Sequence, residues 1–300
     1  MSTMSTVSYL NLNQASVSPT QTNVFNYVYP SGSVNYKNAR VAIQSIIIPY
    51  SWLNVNGSVY NNAAFQITIP VKISGISVQS TLNITIPNGF YTLQNLNQYI
   101  QSQLIAAGYY LINANSQNVF YIEIVANTQL NNAQLNCYVV PTSLPVGYTY
   151  GATGTWGQAG VGSLPSTANQ VPQLVTLANN FGKLIGFASS TTFPASTTSA
   201  TTVSTPSSSV PQITPVQNLL VGCSLVRNID ASPTNIIATI PLTSQYATNI
   251  IYQPSEYFWL PILNGNVSSF QIIFYDQAFN QLPIVDTNIS IALITERSLT

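Results

Sequence analysis

Six carboxylates, Glu123, Asp230, Glu256, Asp276, Asp286 and Glu296, are the side chains of this sequence best suited to acid–base or cation chemistry. Brought together in space, two would make a glycosidase pair, or several a calcium site. Their local contexts point elsewhere. Asp276 opens the turn Asp276-Gln-Ala-Phe-Asn280, and Asp286 stands before Thr287-Asn288 at a strand start. Asp is favoured at such places because its carboxylate accepts nearby backbone N–H groups. Histidine is absent, which excludes Ser/His/Asp and Cys/His nucleophiles and any His-ligated metal. A Ser-x-x-Lys nucleophile needs Ser three residues before Lys37, Lys72 or Lys183, where the chain has Val34, Ile69 and Asn180. Neither Gly-x-x-x-x-Gly-Lys nor a helix-opening Gly-x-Gly-x-x-Gly occurs. The expectation is a protein without enzymatic activity, cofactor or metal.

Cys137 and Cys223 fall in phase with apolar neighbours, Leu135 and Val139 for one, Val221 and Leu225 for the other. They read as buried free thiols, since free Cys packs as a small apolar residue. Exposed aromatics in a Gly-rich stretch are the remaining binding candidates. Tyr148, Tyr150 and Trp156 lie in or beside Gly151-Ala-Thr-Gly-Thr-Trp-Gly-Gln-Ala-Gly160, where the rings would stack on a sugar or a neighbouring subunit, or fold back on their own domain.

Charge narrows the partners. Only 4% of the residues are charged, six basic and six acidic, for a net charge of zero, where a soluble domain carries roughly a quarter. Lys37, Arg40, Lys72, Lys183, Arg227 and Arg297 are scattered along the chain, so no basic footprint for direct nucleic-acid binding is expected. No window approaches the ~18 apolar residues of a membrane span. The opening Met-Ser-Thr-Met-Ser-Thr-Val-Ser lacks a basic and apolar leader, so synthesis in a cytoplasm is expected. Contacts must be built from amide, hydroxyl and aromatic groups. These bury more readily than charge once hydrogen-bonded, which suits a subunit in permanent contact with others.

Period-2 alternation recurs along the sequence and predicts an all-β, antiparallel sandwich. Strands are expected at Phe65–Ile69, Leu82–Ile86, Phe120–Ile124, Val41–Ile48, Leu135–Val140, Leu219–Arg227, Ile236–Ile240, Phe270–Phe274 and Ile289–Leu293. One helix interrupts them over about 92–107. Leu93, Leu96, Ile100 and Leu104 recur at helical spacing, Thr92 is placed to cap and Gly108 to terminate. The expectation is that it packs across an open end of the sandwich. Residues 1–300 are expected to form a single domain with loop insertions at about 141–172 and 188–215. The second of these is nearly all Ser, Thr, Ala, Val and Pro and reads as a tolerated surface insertion.

The segment Leu82-Asn-Ile-Thr-Ile-Pro-Asn-Gly-Phe-Tyr-Thr-Leu-Gln-Asn-Leu-Asn-Gln-Tyr-Ile100, followed by Gly108-Tyr-Tyr-Leu111, resembles the strand, turn and helix of capsid proteins from virophages and polinton-like double-stranded DNA viruses. Phe181-Gly-Lys-Leu-Ile-Gly-Phe187, Ser232-Pro-Thr-Asn-Ile-Ile237, Val267-Ser-Ser-Phe-Gln-Ile-Ile-Phe-Tyr-Asp276 and Ile289-Ser-Ile-Ala-Leu-Ile294 are similar to the closing strands of the penton, or vertex, protein of that lineage. The resemblance implies a single jelly roll and a homopentamer plugging the icosahedral five-fold vertices of the virion. It also implies contacts with the major capsid protein, and possible partners among minor capsid or host-attachment proteins. An outward insertion, if present, would be either the Tyr148–Trp156 loop or the Ser/Thr tract. The alternative expectation is a non-viral β-sandwich adhesin or carbohydrate-binding module that uses Trp156 and its neighbouring tyrosines.

Overall fold

A computed structural model of the protein describes residues 5–151, 156, 163–228 and 232–298. The chain divides into two compact units, residues 1–52 with 214–300, and residues 53–213.

The first unit contains eight principal strands: β1 (Ser5–Leu12), β2 (Val24–Val28), β3 (Ala39–Pro49), β4 (Asn218–Cys223), β5 (Ile236–Pro241), β6 (Asn249–Tyr252), β7 (Ser269–Tyr275) and β8 (Ser290–Ser298). They form two antiparallel sheets, in the orders β1-β8-β3-β6 and β5-β4-β7-β2. Leu260–Pro261 also pairs with β3, at Arg40 and Val41. Apart from the β4–β5 hairpin, successive strands alternate between the sheets, and this order is that of a jelly roll. The all-β jelly-roll expectation therefore holds, with residues 53–213 entering the chain between β3 and β4.

The inner faces carry the apolar half of each strand. Leu10, Leu12, Val41, Ile43, Ile46, Ile48, Ile291 and Leu293 are buried from one sheet, and Phe25, Leu219, Val221, Cys223, Ile272 and Phe274 from the other. Phe25 meets Phe274 edge to face, with ring centroids 5.8 Å apart, the arrangement their quadrupoles favour. In β3 the inward positions change from odd (Val41, Ile43) to even (Ile46, Ile48). Gln44 is the residue left over where Ala292 pairs with Ser45 but Leu293 with Ile43. A one-residue bulge of this kind lets one strand keep apolar side chains inward on both sides of a phase change.

The second unit is also strand-rich. The hairpin Ala64–Ile73/Ile76–Thr85 is extended by Gln173–Thr176 and then Thr192–Phe193. A second sheet runs Val203–Pro206, Asn132–Cys137, Ile122–Asn127. Helix α1 (Leu93–Ala106) starts as the sequence implies: Thr92 accepts from Asn95 N and the Asn95 side chain reaches back, a capping box made with Asn. Gly108 sits at φ 78° just past its end, where a Cβ would be strained. Its buried stripe of Leu96, Ile100 and Leu104 joins Phe65, Ile67, Ile122 and Leu135 in one apolar core. The helix thus packs within the core of residues 53–213, which corrects its expected place across an open end of the jelly roll. Helix α2 (Phe181–Ile185) stacks Phe181 on Phe65 at 4.2 Å.

The Ser/Thr tract is built into this unit, which corrects its reading as a tolerated surface insertion. Val203–Pro206 pairs along Gln134–Cys137, buried Ser207 exchanges hydrogen bonds with Ala133 through Oγ (3.1 Å) and N (2.7 Å), and Phe193 packs edge-on against Phe187. Deleting 191–209 would leave those partners unpaired at about 1 kcal/mol or more per bond. The expected outcome is a loss of at least about 3 kcal/mol. An unchanged thermal midpoint would contradict this placement.

Candidate assembly surface

A strand half-buried in a two-sheet sandwich shows polar residues outward, so apolar residues at consecutive positions put one apolar side chain in solvent. Three strands of the β1-β8-β3-β6 sheet do this. In β1, Leu10 and Leu12 point inward while Val7 (48% exposed) and Tyr9 (59%) point out. In β3, Ile46 and Ile48 are buried and Ile47 faces out; in β6, Ile250 is buried and Ile251 is 69% exposed. Ile251 lies opposite Ile47, which lies opposite Ser290. The neighbouring outward row toward β1 is Ser45, Ala292 and Asn11.

On the strands of this face charge is confined to one row. Glu296 stands between Val7 and Arg40, and Arg40 donates to it from Nε (2.7 Å) with a second contact from Nη2 (2.6 Å). The Arg40 guanidinium lies 4.7 Å from the centroid of Trp259, a cation–π contact. The segment between β6 and Leu260 adds Tyr257 and Phe258 (69% exposed) beside Trp259, and with them the exposed carboxylate of Glu256. Val7 and Tyr9 lie at the β1 edge and Ile47 and Ile251 at the β6 edge, separated by the row Asn11, Ala292 and Ser45 and by the buried Ile294 and Ala42; these two edges are the candidate contact regions.

The sequence-nominated residues lie elsewhere. Trp156 is 1% exposed, with its ring 6.1 Å from that of Tyr109 and 5.4 Å from that of Tyr121. This corrects the expectation of a displayed ring at position 156. Tyr148 is half-buried against the same core, and Tyr150 is 38% exposed on a two-residue strand paired with Leu111–Ile112. The three do not form an open platform. The aromatic run Tyr257-Phe258-Trp259 was the available signal for the exposed rings.

Among the described residues the carboxylates gather into no group of three. Glu123, in the second unit, accepts from Asn136 and Tyr138, and burial followed by that bond pushes the Tyr138 phenol up to about 12. Asp276 accepts from the N–H groups of Ala278 and Asn280, and Asp286 from that of Asn288, the local turn bonding read from the sequence. Asp230 lies outside the described residues. Among the described residues no group of three or more His, Cys, Asp or Glu is placed to hold a metal, and no helix is long and apolar enough to cross a membrane.

Cys137 and Cys223 are buried free thiols, each pushed up to about 12 by burial. Because the folded pKa lies above the unfolded one, each thiol's contribution is full below about 9 and is lost as pH rises toward 12. Native protein is expected to leave both thiols unreacted with Ellman's reagent at pH 8, and urea to release both. Rapid native labelling would contradict their burial.

No family model and no curated protein matches the chain. Among solved structures it is similar to the selenomethionine-labelled mavirus penton protein, over 98% of this chain and 99% of that one, at 8% sequence identity and a TM-score of 0.45. At that level of likeness the functional reading rests on the strand order and surface of this chain itself.

Proposed function

We propose that the chain is a structural virion protein: a penton subunit that closes into a homopentamer at the icosahedral five-fold vertices and meets the surrounding major capsid proteins, without enzymatic activity. The observation that carries this is the outer face of the β1-β8-β3-β6 sheet, where Val7, Tyr9, Ile47 and Ile251 are exposed and the charges of Arg40 and Glu296 cancel. Copies arranged around an axis touch through two unlike surfaces. Such a contact tolerates little unpaired charge, because desolvating an ion that finds no partner costs several kcal/mol. The sequence resemblance to virophage and polinton-like vertex proteins points the same way. In this reading the further partners are minor capsid or host-attachment proteins. The subunit is made in the host cytoplasm and resides in the virion.

The reading is tested by light scattering on the full chain at about 0.1 M and about 1 M salt, conditions that shorten the screening length roughly threefold. With few charges on the face and its one ion pair internal to the subunit, the oligomer mass is expected to be the same at both. Dissociation in high salt would mean that ionic contacts hold the copies together and would overturn the apolar-face assignment.

A further inference from the structure

Beside the Arg40–Glu296 pair the jelly roll has an open surface pocket of about 400 Å³, lined by Asn38, Ala39, Arg40, Trp259, Pro261, Ile262 and Asn264. Its wall is shaped by backbone that few residues adopt. Asn38 is left-handed at φ 49°, and Gly265, directly after Asn264, is at φ 135°, a region essentially reserved for glycine. Asn264 Oδ1 accepts from the backbone N–H of Asn38 at 3.0 Å, which fixes the Asn264 amide against the chain at Asn38. Tyr257 braces Trp259 edge-on at 5.8 Å.

The geometry points to a binding site for a neutral sugar ring. Three features of the lining favour that class. Trp259, Pro261 and Ile262 supply an apolar surface for the C–H face of a pyranose, an arrangement that buries area with an orienting ring. The exposed side-chain amides of Asn38 and Asn264 supply both donors and acceptors for hydroxyl groups, and among the described residues Asn264 Nδ2 has no partner. Arg40, the one charged residue in the lining, is already held by Glu296, so the pocket offers hydrogen bonds without a net charge to select an anion. Its volume falls at the small end of the range for small-molecule sites. The site shares Arg40 and Trp259 with the surface assigned above to contact between copies, so it requires that this contact leave the Trp259 corner of the face open.

Tryptophan emission reads it directly. Trp52 and Trp156 are each 1% exposed, which leaves Trp259 as the indole a solute can reach. The full chain is titrated with methyl α-mannoside, methyl β-galactoside and N-acetylglucosamine, with N-acetylneuraminic acid as the anionic comparison. A saturable emission change with at least one neutral sugar is expected, with Kd on the order of 1 mM, as suits a shallow monosaccharide site. Asn264→Ala keeps the reporter and is expected to weaken that Kd at least tenfold. Trp259→Phe is expected to abolish the signal while the thermal midpoint stays near that of the parent. No saturable response to any neutral sugar, a response to N-acetylneuraminic acid alone, or an unchanged Kd in Asn264→Ala would each overturn the assignment. An oligomer in which Trp259 is inaccessible to acrylamide would likewise show that a second copy, rather than a sugar, fills the pocket.

Discussion

Replacing Ile272 with Asp is expected to abolish cooperative unfolding of the jelly roll. Ile272 is fully buried in β7, opposite Cys223 on one side and Phe25 on the other, next to the Phe25–Phe274 ring pair. An aspartate there is either ionised among apolar groups or protonated with its hydroxyl and carbonyl unpaired, and both cost several kcal/mol. A loss of about 4–5 kcal/mol or more is expected, a large part of the 5–15 kcal/mol that typically holds a domain folded. Ile272→Val removes one methylene and is expected to cost only about 1 kcal/mol. Urea denaturation followed by circular dichroism separates the two. A soluble Asp variant with the parent's midpoint would mean that the inner face of β7 is misassigned.

Ile251→Asp is expected to have the opposite signature: an intact fold and a lost oligomer. Ile251 sits on the outer face of β6 at 69% exposure, beside Ile47. A surface change of this kind usually alters monomer stability by less than about 0.5 kcal/mol. Placed in an apolar contact with no cation opposite, the same carboxylate costs on the order of 2–5 kcal/mol per interface, or about 30-fold to several thousand-fold in affinity. Tyr9→Asp on β1 is expected to act in the same direction, and Ile251→Leu to leave assembly unchanged. Gel filtration with light scattering reads all three. Oligomers of parental mass in both Asp variants would remove this face from the interface.

Much of the strand content is legible in the sequence, because a half-buried strand leaves a period-2 trace. Phe65–Ile69, Ile236–Ile240 and Phe270–Phe274 all lie in strands, and Thr92 with the Leu96/Ile100/Leu104 stripe marks α1 at its cap and its buried face. Other strands leave weaker traces. β1 and β6 carry apolar residues on both faces, so neither shows alternation, and β2 is short. The strands of residues 53–213 alternate like those of the jelly roll, so nothing in the periodicity separates one unit from the other. The Ser/Thr tract misleads for a different reason: Val203–Pro206 is held by backbone pairing, which side-chain composition does not report.

The proposed contact face was hidden by the same feature that makes it interpretable. Ile46-Ile47-Ile48 and Ile250-Ile251 look like core runs, and only the strand order shows that one residue of each must point away from the core. Trp156 misled in the other direction. Glycines around it suggest an open loop, yet its ring is enclosed by Tyr109 and Tyr121, and its Nε1 is buried with no hydrogen-bond partner among the described residues. Trp259, preceded by two other aromatics, is the tryptophan ring that reaches the surface.

The most direct test of the central claim is the native mass of the purified full chain, with class averages of the same particles by electron microscopy. A penton subunit is expected at five times the 32.4 kDa chain mass, as a ring with five-fold rotational symmetry. A stable monomer, or a closed ring of any other order, would contradict a homopentamer built through the β1-β8-β3-β6 face.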